Sequence, residues 1–65
     1  MKIKVFIERE NKNKVINVNE INEIFTKLKI NPNEVLIVKN NELITEDEEL
    51  NENDYIKLLS VISGG

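Results

Sequence analysis

The chain has no cysteine, no histidine and no tryptophan, one proline, and only two glycines in 65 residues. Without cysteine, neither a disulfide nor a thiolate zinc site can brace the fold, although its size is near the lower limit for a domain that folds unaided. The same absences remove the commonest nucleophile and the commonest general base. The acidic residues fall on polar, loop-like stretches, so no self-contained catalysis is expected. No apolar run approaches a membrane span, and the first residues lack the apolar core of a secretory signal. A soluble, cytoplasmic protein without a membrane partner is therefore expected. Twelve acidic residues oppose nine basic ones, giving a net charge of -3 with no dominant basic patch. Nucleic acid is not an expected partner.

What the chain does have is isoleucine and valine, whose stiff branched side chains suit a pleated, half-buried surface. Met1 to Glu8 alternates, with Ile3, Val5 and Ile7 on one face and Lys2, Lys4, Phe6 and Glu8 on the other. That period of two predicts a strand. After the polar link at residues 9–13, Lys14 to Val18 alternates again, predicting an antiparallel hairpin. Asn19 is the expected N-cap of a helix carrying Ile21, Ile24, Phe25 and Leu28 on one stripe, with Glu20 and Glu23 in its first turn. Pro32 disfavours helical backbone at Asn31, so the helix should end by about Ile30. Val35 to Lys39 reads as a well-buried third strand, Asn40-Asn41 as a turn and Leu43-Ile44 as a short fourth strand. Residues 45–53 read as an acidic loop anchored by Leu50. Within it, Glu46-Asp47-Glu48-Glu49 lacks the spaced oxygen ligands and central glycine of a calcium loop, so no metal is expected. Tyr55 to Ile62 reads as the last strand, with Ile56 and Leu58 on one face and Tyr55, Lys57 and Leu59 on the other.

This element order predicts an α+β domain over residues 1–62, a mixed sheet of four to five strands packed on one helix. Residues 63–65 follow as a flexible tail. Asn40-Asn41-Glu42-Leu43-Ile44, the acidic stretch to Leu50, Asn53-Asp54-Tyr55-Ile56 and the ending Val61-Ile62-Ser63-Gly64-Gly65 together resemble the ThiS/MoaD family of ubiquitin-like sulfur carriers. The length and element order match over the whole chain, and the C-terminal half carries the specific features. Where the family tends to have glycine, this chain has Asn41 and Asn53. Both positions would take positive φ in the family's turns, and asparagine tolerates that geometry best after glycine.

The resemblance implies a β-grasp fold, with the first and last strands parallel and adjacent at the sheet centre. It also implies a protein that is acted upon and is no enzyme itself, with no bound cofactor. Its partners would be a ThiF/MoeB-like adenylating enzyme that uses ATP, a sulfur donor protein and a sulfur-accepting synthase. The adenylation and thiocarboxylate site would be Gly65, with Ser63 and Gly64 as the slim thread that carries it. Glycine has no Cβ, and three extended residues reach roughly 10 Å, enough to enter a narrow tunnel. The plain alternative for Gly64 and Gly65 is a frayed terminus.

Phe6 and Leu59 would share the sheet's outward face on adjacent central strands, next to the tail. With Val61 and Ile62 they are the expected partner-binding residues, because exposed apolar patches mark interaction surfaces. The sulfur would serve thiamine thiazole, molybdopterin or tRNA thiolation, and the short length sits closer to ThiS than to MoaD chains. The alternative function is a ubiquitin-like modifier conjugated through Gly65 to lysines of target proteins.

Overall fold

In the computed structural model, which describes residues 1–61, five strands and one α-helix form the predicted β-grasp. Strands β1 (Lys2–Ile7) and β2 (Lys12–Asn17) make the first hairpin. Helix α1 (Ile21–Leu28) follows, then β3 (Val35–Lys39), β4 (Glu42–Ile44) and β5 (Tyr55–Ser60). The sheet order is β2-β1-β5-β3-β4, and β1 and β5 run parallel at its centre. All other neighbours are antiparallel.

The alternation in the sequence becomes burial. Ile3, Val5 and Ile7 of β1, Ile56 and Leu58 of β5, and Ile37 of β3 face Ile21, Ile24 and Phe25 of α1 in one apolar cluster. Each such side chain fully withdrawn from water contributes about 1.5–3 kcal/mol. Leu50 joins the cluster and pins the acidic loop, as its isolated apolar character predicts.

Local chemistry moves several boundaries. The first hairpin closes sooner than expected because Glu8–Glu10 forms a 3-10 turn and Asn11 takes left-handed backbone (φ 51°), so β2 begins at Lys12. The helix is capped from Glu20, not Asn19. The side chain of Asn19 instead accepts a hydrogen bond from the Met1 ammonium at 3.4 Å. Glu23 Oε1 accepts from two backbone N–H groups at the helix entry, those of Asn19 (2.6 Å) and Glu20 (3.0 Å). That is the glutamate half of a capping box. The helix ends where Lys29 turns left-handed and its N–H, with that of Ile30, donates to the Phe25 carbonyl. Asn31 is extended ahead of Pro32, as the proline requires, and Pro32–Glu34 forms a second 3-10 turn. β3 is buried on one side only, since Leu36 is 45% exposed on the other.

Candidate functional site

Everything the sequence assigns to the tail is carried by the end of β5. That strand is held between β1 and β3, and its start is fixed by a hydrogen-bonded node around Asp54, a buried acidic side chain. Asp54 Oδ2 accepts from the Asn51 N–H at 2.7 Å, and Oδ1 accepts from Asn40 Nδ2 at 3.1 Å. Asn40 Oδ1 in turn accepts from the Tyr55 N–H at 3.1 Å. Through its carbonyl, Asp54 also receives the Lys4 N–H, while the Asn53 N–H donates to the Lys2 carbonyl. The node thus ties the β3–β4 turn, the acidic loop and the β1–β5 pairing to one residue. Asn41 and Asn53, the two asparagines at the family's glycine positions, have φ of 71° and 67°.

At its other end, β5 outlasts β1 and stays paired with β3. Val35, the first residue of β3, lies opposite Ser60, and the last β1–β5 pair is Ile7 with Leu58. The Ser60 N–H is nevertheless satisfied by Glu8 Oε1 at 2.9 Å, and the Val61 N–H by the Glu34 carbonyl at 3.1 Å. The expected strand over 55–62 therefore closes at Ser60. Val61 is 40% exposed. Ile62, Ser63, Gly64 and Gly65 lie outside the described residues, and so does the expected boundary between domain and tail.

The sheet face opposite α1 bears Phe6 and Leu59, both half-buried. Phe6 stands opposite Lys57, whereas Leu59 stands opposite Leu36 of β3. The two are thus one pleat apart in register, and the apolar surface extends from Leu59 across β3 toward the β4 edge. Leu36 and Val38 carry it, and Leu43, 65% exposed, ends it. Leu36 and Leu43 were not anticipated as surface residues. The alternation along β3 could have revealed Leu36, but only a sheet covered on one face gives that alternation its meaning.

Lys2, Lys4 and Lys57 share the same face. The Lys57 ammonium sits 5.7 Å from the centre of the Tyr55 ring, within reach of a cation–π attraction. The ion pairs among the described residues, Arg9–Glu34 and Lys39–Glu48, involve none of these three lysines. Among the described residues, no group of acidic side chains has the geometry of a metal site. Among the same residues, no helix is long and apolar enough to cross a membrane.

A model of the ThiS family matches residues 3–65. Sulfur carrier protein TtuB of Thermus thermophilus is 40% identical over 45 residues, covering 69% of this chain and 69% of TtuB. Among solved structures, a chain in the complex of subunits 1 and 2 of molybdopterin-converting factor from Helicobacter pylori 26695 matches with a TM-score of 0.79. That match covers all of both chains at 24% identity, which establishes a shared fold.

Proposed function

The chain belongs to the ThiS family, and from that membership we propose that it is a sulfur carrier whose cargo rides on the carboxyl group of Gly65. A carboxylate resists nucleophiles because resonance and negative charge protect its carbon. In this reading an adenylating enzyme joins it to ATP, releasing pyrophosphate and leaving an acyl adenylate. The terminal sulfur of a persulfide on a donor protein then attacks the acyl carbon and AMP departs. A thiol cleaves the resulting acyl disulfide, leaving a thiocarboxylate on Gly65 and a disulfide elsewhere. The thiocarboxylate delivers its sulfur to an accepting synthase.

The observation that carries this reading is the family match running through Ser63-Gly64-Gly65, directly behind the central strand β5. A chain without side chains at 64 and 65 can thread a narrow tunnel, and a domain tied at both ends of β5 gives the enzyme a firm body to hold. The division of labour follows. The open sheet face, with Phe6, Leu59, Val61 and Leu36, docks on the enzyme, and the glycines enter its active site. The relative TtuB bears the name of a sulfur carrier, which supports the same assignment.

The test is direct. The chain is incubated with ATP, a cognate adenylating enzyme and a persulfide donor, and its intact mass is measured. Gain of the mass difference between sulfur and oxygen, lost again on mild hydrolysis, is the expected result. It should vanish when Gly65 is removed. A chain end that stays chemically unchanged contradicts the assignment, and stable conjugates to lysines in place of a thiocarboxylate would mark a protein modifier.

A further inference from the structure

The last two described residues, Ser60 and Val61, sit where an ordinary strand would fray. Successive N–H groups of a strand point to opposite sides. That of Ser60 points toward β1, which has already turned away at Glu8, and that of Val61 points toward β3, which begins only at Val35. The Ser60 N–H finds its acceptor outside the ladder, and the Val61 N–H finds the next carbonyl in the β3–β5 register. Glu8 Oε1 stands in for the missing β1 carbonyl at 2.9 Å. On the β3 side the Glu34 carbonyl extends the antiparallel register by one rung, at 3.1 Å.

These acceptors belong to the two 3-10 turns, Glu8–Glu10 and Pro32–Glu34, which lie on either side of the β5 end. The turns are clasped to each other. Arg9 Nη2 donates to Glu34 Oε1 at 2.7 Å, and Asn31 Nδ2 approaches the other carboxylate oxygen of Glu34 at 3.5 Å. The Glu34 N–H donates to the Asn31 carbonyl at 3.0 Å, holding the second turn in shape.

We propose that the two turns form a collar around the root of the tail, and that Glu8 is a positioning residue for acylation at Gly65. The inference rests on the sulfur-carrier reading. A reacting group must arrive in a narrow range of positions, and slack between it and the docked body lowers the fraction of time it is aligned. Holding Ser60 and Val61 fixes the backbone as far as Val61. Loss of the Glu8 bond leaves the end of β5 held on the β3 side alone, which loosens the direction in which the chain leaves the domain. Glu8 suits the task because a charged acceptor binds an N–H more strongly than a neutral one. It is also exposed and lies outside the buried cluster.

The test compares wild type with E8A and E8Q in the full chain, using amide hydrogen exchange and the kinetics of ATP-dependent pyrophosphate release by the adenylating enzyme. E8A is expected to speed exchange at Ser60 by about tenfold, the effect of losing one charged hydrogen bond, while amides of Val5 and Ile56 keep their protection. It should lower kcat by a similar factor and leave KM near the wild-type value, since docking is intact. E8Q keeps an acceptor oxygen and should restore both. Unchanged Ser60 exchange in E8A overturns the collar, and unchanged kcat overturns the positioning role. A rise in KM that E8Q fails to reverse also overturns it, because it assigns Glu8 to an ionic contact with the enzyme. A wild-type chain that releases no pyrophosphate sinks the sulfur-carrier reading and the positioning role with it; the collar is then decided by exchange alone.

Discussion

Among the described residues, left-handed backbone occurs at five side-chain-bearing positions, Asn11, Lys29, Asn40, Asn41 and Asn53. Both glycines of the chain lie at 64 and 65, so every described turn is built without one. Asparagine is the least strained substitute at four of these places, because its short polar side chain tolerates the αL region. Lys29 is the exception. It occupies the position after the helix where glycine is preferred, and a long side chain there costs about 1–2 kcal/mol relative to right-handed backbone. Against that, its charge near the helix C-terminus returns about 0.3–1 kcal/mol, and glycine gives up some stability through a freer unfolded chain. The balance favours Lys29→Gly by about 0.5 kcal/mol, or a few degrees in Tm for a domain this small. Urea and thermal unfolding should show the variant more stable than wild type with an unchanged m-value. Lys29→Ala, which loses the charge and keeps the strain, should be less stable than wild type. A glycine variant weaker than the alanine one would show that Lys29 is not strained.

At the scale of elements, α1 is short, spanning Ile21–Leu28, and an isolated helix of that length does not persist in water. Its start depends on Glu23, which accepts from both Asn19 and Glu20. Glu23→Ala leaves two donors without their partner and should cost about 1–2 kcal/mol, read from the urea midpoint. Glu23→Gln should recover most of the loss, and an alanine variant as stable as wild type would mean that water replaces the carboxylate at no cost. Elements of this kind were legible because their signals are local. The period of two in β1, the stripe on α1 and Pro32 each act within a few residues, and each predicted element exists. The errors are local competitions that sequence alone does not rank, such as Asn19 giving its side chain to Met1 and ceding the cap to Glu20. Positions that depend on distant partners were not legible. The parallel β1–β5 pairing fixes Phe6 opposite Lys57 and shifts Leu59 to Leu36. Glu8 reaches a partner 52 residues away at Ser60, which no pattern in either segment announces.

On the scale of the whole molecule, charge and apolar surface are unevenly divided. The chain is acidic overall, yet the strands of the open face contribute Lys2, Lys4 and Lys57 beside Phe6, Leu59 and Leu36. A partner matching this face needs an apolar centre and acidic groups around it, an arrangement that speeds encounter and fixes orientation. Leu36 is the residue to probe, because at 45% exposure it packs little against the domain. Its place opposite Leu59 on the adjacent strand puts it near the middle of the apolar surface. Leu36→Arg adds positive charge to a face that is already basic, so it removes apolar contact without reversing the field. Folding stability should stay within about 0.5 kcal/mol of wild type, as for other surface substitutions. Binding to the adenylating enzyme, measured by calorimetry, should weaken by at least about tenfold if the face docks, since central apolar anchors carry most of an interface's energy. Lys57→Glu should act differently, slowing association mainly at low salt and losing that effect as salt screens the field. Equal binding by wild type and Leu36→Arg would move the docking surface elsewhere. Because the assay needs no ATP, that outcome would stand apart from any failure in the chemistry at Gly65.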